Sequence, residues 1–202
     1  MILLIRHALV DACGAYLAGR TPGIHLNQEG RRQAARLGQY VNLPLAAVYT
    51  SPMERAQETA DALPQGRSPL CVDDDLNEVD FGEWTGLSFD ELNLRPDWVA
   101  FNRMRSATRI PGGEWMLDVQ HRACRALTRI HQRHNEAHVA IVSHGDVLRA
   151  LVAKMIDAPL DRIDQFAMDP ASISVLQPNW RGFEVTRLNC HANCDHCCPS
   201  YC

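Results

Sequence analysis

The sequence predicts an α/β fold: a three-layer α/β/α sandwich on a mostly parallel, mixed central sheet, with a small helical cap over the site. Three observations predict it. Short, continuous apolar runs alternate with helical patterns along the chain, an alternation that puts helices on both faces of one sheet. Two of those runs end directly on a histidine, at Ile5-Arg6-His7 and at Ser143-His144-Gly145. The last two runs flank a Pro178-Asn179 turn, as strands joined by a tight connection do.

Taken in order, Met1 to Ile5 (MILLI) reads as a buried strand. Asn27 to Val41 reads as a helix, with Ala34, Leu37 and Val41 on one face, and Ala46 to Tyr49 as a second strand. Ser51-Pro52-Met53-Glu54 has the form of a helix start, with Ser51 as N-cap, Pro52 at the first position and Glu54 completing a capping box. That helix runs toward Leu63, where Pro64 and Gly66 stop it. Leu70 to Val72 suits a third strand, followed by loops and short helices through Pro111-Gly112-Gly113. From Glu114 to His134, Met116, Val119, Ala123, Leu127 and Ile130 recur at helical spacing. His138 to Ser143 is the fourth strand, Asp146 to Ile156 a helix, and Ala171 to Gln177 and Gly182 to Asn189 the closing strands.

The chain has 202 residues, 46% hydrophobic and 22% charged. That is long enough for one domain with a real core, residues 1–189. The formal net charge of -4 argues against a nucleic-acid partner, which calls for a basic footprint. No apolar run reaches membrane length, and MILLIRHALV lacks the basic start of a signal peptide. A cytoplasmic protein is expected. No feature specifies an oligomeric state.

An acidic protein that handles an anion must gather positive charge locally. In open α/β sheets ligands bind beyond the carboxyl ends of strands, where His7 and His144 fall. Arg55 lies in the first turn of its helix, where the macrodipole disfavours a cation, so it calls for a compensating anion. Guanidinium groups match phosphate oxygens with paired donors. Arg6, Arg55, His7 and His144 would therefore form a phosphate cradle with no metal. Cleavage of a phosphoester by a histidine nucleophile also needs a proton for the leaving oxygen. Glu78, beside Val79, Phe81 and Trp84, is the expected acid, its pKa raised by apolar surroundings. Glu83, Asp80 and Glu114 are the neighbouring alternatives.

Five motifs occur together: Leu4-Ile5-Arg6-His7, Ser51-Pro52 with Arg55-Ala56 and Thr59-Ala60, Glu78 to Gly86, Pro111-Gly112-Gly113-Glu114, and Ser143-His144-Gly145. In that order and spacing the chain resembles the histidine phosphatase (phosphoglycerate mutase-like) superfamily. The resemblance implies a histidine acid-type phosphatase, a phosphoric monoester hydrolase acting on a small-molecule phosphate ester. In it His7 is the nucleophile that becomes phosphorylated. Arg6, Arg55 and His144 hold the phosphoryl group, and Glu78 protonates the leaving oxygen and then activates water. No metal or other cofactor is implied for catalysis.

The chain departs from the family pattern at Ala8, where Gly is usual, and in Leu9 to Gly14, which lacks the usual polar residues. Arg20 is expected to replace some of that substrate contact. Mutases of the family carry a longer insertion after the glutamate motif. Here Trp84-Thr85-Gly86 leads directly into Leu87 to Phe101, so hydrolysis is expected over phosphotransfer. The alternatives are a cofactor-dependent phosphoglycerate mutase and a non-catalytic phospholigand-binding protein with a metal-binding tail. Phe89, Leu92, Trp98 and Phe101 are expected mainly to pack the cap; the alternative is an apolar rim on the pocket. Sugar phosphates, phosphoglycerates, nucleoside phosphates and phosphoprotein are all open as substrates.

Three clusters are read apart from the site. Asp73-Asp74-Asp75 is expected to be a solvated acidic turn. His121, His131, His134 and His138 are expected on a helix surface. Residues 190–202 crowd Cys190, Cys194, Cys197, Cys198 and Cys202 with His191 and His196. The tail is expected to be separate from the core and dispensable for turnover. It is read as a disordered, oxidisable appendage; the alternative is a site for zinc or another soft metal.

Overall fold

The computed structural model describes residues 1–64, 70–135 and 137–192. Its centre is a six-stranded sheet in the order β3-β2-β4-β1-β5-β6. The strands are β1 (Ile2–Arg6), β2 (Leu45–Thr50), β3 (Cys71–Val72), β4 (His138–Ser143), β5 (Ile173–Asn179) and β6 (Gly182–Cys190). β1, β2, β3 and β4 pair in parallel, whereas β5 runs antiparallel to both β1 and β6. The sheet is thus mixed but mostly parallel, as expected.

Side-chain alternation along the strands builds two cores, since successive residues of a strand face opposite sides. Leu3, Ile5, Val48, Ala140 and Val142 pack with Leu37 and Val41 of the α1 region (α1, Gln28–Tyr40) and with Ala56 and Ala60 of α2 (Glu54–Asp61). Ile2, Leu4, Ala47, Tyr49, Val139 and Ile141 pack on the other face. Their partners there include Val119, Leu127 and Ile130 of α5 (Met116–His134) and Leu148 and Leu151 of α6 (Gly145–Met155). The cap is α3 (Phe89–Asn93) and α4 (Pro96–Arg103). Leu92, Trp98 and Phe101 bury against Trp84, so these three pack the cap, while Phe89 alone of the four lines the pocket.

Several local expectations are corrected. The helix start at Ser51 is not a capping box: α2 begins at Glu54 with Met53 as N-cap and no side-chain cap bond. Ser51 is needed elsewhere, and the Glu54 carboxylate instead accepts from the Gly23 N–H at 3.0 Å. Glu114 precedes α5, which starts at Met116, because its carboxylate is held by Arg20 and Arg122. The acidic turn is ion-paired rather than merely solvated: Asp73 and Asp75 meet Arg125 and Arg129 of α5. His138 opens β4 rather than sitting on a helix, and His134 hydrogen-bonds the Tyr49 hydroxyl at 2.9 Å.

Cys190 ends β6 and is buried, so the sheet runs one residue past Asn189. His191 bonds the Asp169 carboxylate at 3.1 Å. The rest of the candidate soft-metal set, Cys194, His196, Cys197, Cys198 and Cys202, lies outside the described residues. Among the described residues, no helix is long and apolar enough to cross a membrane.

Candidate active site

Strand register builds the site. Arg6 pairs with Ser143 and Thr50 with Val142 across three adjacent parallel strands. The next residues, His7, His144 and Ser51, therefore leave the sheet side by side at its carboxyl edge. Backbone bonds continue the ladder: the His7 N–H donates to the Ser143 carbonyl at 2.9 Å and the Ser51 N–H to the Val142 carbonyl at 3.0 Å. The two histidine rings lie 5.2 Å apart between centroids.

His7 is 4% exposed. Burial, then the charges of Arg55 and Arg6, push its pKa down to about 3, against a smaller opposing effect of the Ala8 carbonyl. The ring is neutral at pH 7. Its Nδ1 lies 2.8 Å from that carbonyl, which can only accept, so the proton sits on Nδ1. Nε2 keeps its lone pair, as a nucleophile requires.

Three buried nitrogens beside His7 have no hydrogen-bond partner: Arg6 Nε, Arg55 Nη1 and His144 Nδ1. The rest of each side chain is tied down. Arg6 Nη1 donates to the Met168 carbonyl at 2.6 Å, and Arg55 Nη2 to the Gly19 carbonyl at 2.8 Å. His144 Nε2 meets the Ser51 hydroxyl at 2.7 Å. Ser51 accepts from the Met53 N–H and can still donate its own proton to Nε2, the arrangement in which Nδ1 carries the His144 proton and faces Glu78 Oε2 at 3.4 Å. Burial first, then Arg55, lowers the His144 pKa well below the usual histidine value. Orphaned donors in a buried setting are costly; an anion would satisfy all three. Gly145 opens α6 here, and a Cβ on it would come within 3.3 Å of Arg6 Nε.

Glu78 faces this group. Its Oε2 lies 3.4 Å from His144 Nδ1 and 3.8 Å from Arg55 Nη2. Burial raises its pKa to about 7, with Arg55 opposing and Asp146 adding to the rise. The carboxyl is thus poised to give up a proton near neutrality. Its loop is held from behind. Gly82 has φ +46°, and a Cβ there would strike the Pro111 carbonyl at 2.2 Å. Only glycine lets the 78–86 and 111–113 segments close up.

His7, Arg6, Arg55 and Glu78 line a cleft of about 420 Å³. His7, Glu78 and His144 also have ligand atoms within 4.8 Å of one another, the spacing of a metal site. Arg6 and Arg55 put two fixed positive charges beside that point, which suits an anion and opposes a cation.

The sequence model of the histidine phosphatase superfamily (branch 1) matches residues 2–191. The chain belongs to this superfamily. A bifunctional protein of Mycobacterium tuberculosis is 34% identical to this superfamily member over 93% of the chain and 52% of that protein. The chain thus spans about half the length of the relatives at that identity. An acid phosphatase of the same organism is 30% identical over 86% of the chain and 84% of its own length. An α-ribazole phosphatase from Shigella flexneri superposes with a TM-score of 0.80 at 27% identity, covering 94% of this chain and 96% of that one.

All five sequence-chosen residues of this histidine phosphatase superfamily member meet at one place. Of the alternative acids, Asp80 and Glu83 do not line the cleft, and Glu114 is held by two arginines. Arg20 does not reach the cleft either. Its Nε donates to the Glu78 carbonyl at 2.8 Å and its Nη2 to Glu114 at 2.8 Å. It steadies the loop rather than a ligand.

Sequence reading missed Ser51 as the His144 partner, Thr59, and Arg122. The Thr59 hydroxyl accepts from the Ala8 N–H at 2.9 Å and donates to the Arg55 carbonyl at 2.7 Å, joining the two motifs. Arg122 is 7% exposed. It donates to the carbonyls of Asp75, Asn77 and Glu78 and to the Glu114 carboxylate, at 2.6–3.1 Å. A buried arginine nearly two turns into an amphipathic helix breaks the apolar face, and that was the signal available. Arg122→Leu is expected to cost about 3 kcal/mol, because it leaves the Asp75 and Asn77 carbonyls unpaired and leaves the Glu78 carbonyl and the Glu114 carboxylate with Arg20 as their remaining arginine partner. Arg122→Lys should recover little, lacking the planar fork. Urea unfolding of both variants checks this; full wild-type stability in Arg122→Leu would refute it.

Proposed function

We propose that this chain is a phosphomonoester hydrolase that works through a covalent phosphohistidine on His7. His7 Nε2 attacks phosphorus while the bond to the ester oxygen breaks. Glu78, protonated, gives its proton to that oxygen, and the alcohol leaves. The Glu78 carboxylate then takes a proton from water as the water attacks the phosphohistidine. Inorganic phosphate departs, and His7 and the Glu78 carboxylic acid are restored. Arg6, Arg55 and His144 donate to the phosphoryl oxygens throughout, neutralising charge where it develops. No metal is needed, since three fixed donors supply that stabilisation.

One observation carries the reading: three buried donors without partners surround a neutral, correctly tautomeric histidine. The acid phosphatase and α-ribazole phosphatase relatives support the same class of reaction, and acid-type action on a small metabolite is part of the proposal. Residues 1–189, continued by Cys190, form the catalytic unit in this reading, with the tail separate. Hydrolysis is favoured over mutase action because, among the described residues, those lining the cleft include no cation beyond Arg6 and Arg55 to seat a second acidic group.

The test is a rapid quench of the full chain with para-nitrophenyl phosphate and excess chelator. The expected result is steady turnover and an acid-sensitive intact-mass increase of one phosphoryl group, mapped to His7. Turnover without that adduct, or its appearance at another residue, would overturn the proposal.

A further inference from the structure

We infer that the substrate is the phosphate ester of an uncharged, predominantly apolar alcohol, with an aromatic ring favoured; this rests on the phosphatase reading above. The argument comes from what lines the cleft beyond the phosphate cradle. Val10, Tyr16, Leu17, Phe81, Phe89 and Pro170 are its large apolar lining residues. Among the described residues lining it, the charged side chains are Arg6, Arg55 and Glu78. Arg6 Nε, Arg55 Nη1 and His144 Nδ1 are the unpartnered nitrogens that the phosphoryl group would take up, and Glu78 must exchange a proton there. No cation is left over for a carboxylate or second phosphate on the organic part. Arg20, the nearest further arginine in sequence, is turned behind Glu78 to Glu114.

The apolar wall is preformed. The 15–17 and 86–89 segments are laced together by the Leu17 N–H to Leu87 carbonyl bond at 2.9 Å and the Gly86 N–H to Leu17 carbonyl bond at 2.8 Å. Tyr16 and Ser88 form an isolated antiparallel bridge, and the Phe89 N–H reaches the Ala15 carbonyl at 3.4 Å. These bonds fix the Tyr16 and Phe89 backbones side by side; both residues line the cleft together with the buried Phe81. Pre-set aromatic surface gains by covering apolar area without an ordering cost. A charged group placed there loses hydration and finds no partner. Tyr16 is 37% exposed, so that loss is partial.

Two alkyl esters with similar leaving oxygens separate the possibilities: 2-phenylethyl phosphate and 3-phosphoglycerate. The full chain is expected to hydrolyse the first with kcat/KM at least about tenfold higher. Phe89→Arg, and independently the more exposed Tyr16→Arg, should shrink that ratio severalfold by supplying the missing cation. A wild-type ratio near one or favouring 3-phosphoglycerate, with both reactions dependent on His7, would overturn this inference and leave the phosphatase reading standing. A ratio untouched in both folded arginine variants would overturn it as well. His7-dependent hydrolysis of neither ester nor para-nitrophenyl phosphate would sink both.

Discussion

His7→Ala is expected to lower kcat by at least about 10⁴-fold for every phosphate ester, because it removes the bond-forming atom while leaving the binding donors in place. Arg6, Arg55 and His144 would still hold the phosphate, so binding of inorganic phosphate should persist. Phosphate affinity by calorimetry and turnover by product assay together check the split; a residual rate within tenfold of wild type would exclude His7 as nucleophile.

The same variant reports on His7 burial through its pH dependence. The folded ring takes up a proton only near pH 3, whereas the unfolded ring does so near 6.5. As pH falls below about 6.5 the unfolded state binds the proton first, so stability is lost down to about 3, at about 1.4 kcal/mol per pH unit. His144 acts in the same direction. Glu78 opposes them: its folded carboxyl protonates near 7 and its unfolded one near 4.5, so acidification over that interval favours the folded state. His7→Ala should therefore lose less stability than wild type between pH 6.5 and 4. Urea midpoints at those two pH values measure it, and parallel losses would contradict a neutral buried ring.

Glu78→Gln should lower kcat/KM for an alkyl phosphate by about 10²–10⁴-fold, the range of a lost general acid. The loss should be much smaller for para-nitrophenyl phosphate, whose leaving oxygen departs without a proton. In the wild type the alkyl-ester kcat/KM should fall as pH rises through about 7, where the carboxyl ionises. That limb reports the free enzyme and the first chemical step. It should vanish in Glu78→Gln, since an amide does not titrate. Persistence of the limb at the same pH in the variant would move the acid role to another group.

The elements were legible because their periods differ. Apolar runs such as MILLI and HVAIV are too short and too continuous for surface helices, and the Met116 to Ile130 spacing fits nothing but a helix. His7, His144, Arg6, Arg55 and Glu78 were legible because each occupies a fixed place beside such an element. What could not be read was who holds whom. Ser51 looked like a helix cap, since a serine before Pro52 commonly is one, yet its hydroxyl serves His144. Glu114 looked like a possible acid and Arg20 like a substrate contact, yet both face the back of the Glu78 loop. Arg122 was overlooked because its partners are backbone carbonyls far away in the chain.

By itself, the sequence determined the strand–helix alternation, the strand ends that His7 and His144 follow and the residue types gathered there, because local periodicity and short-range geometry act within a few residues. The tertiary structure alone decided the His7 tautomer, the neutral state of His7, the raised pKa of Glu78 and the apolar wall of the cleft. Those properties arise from burial and from charges brought together across the sheet, and water screens both until the chain is folded.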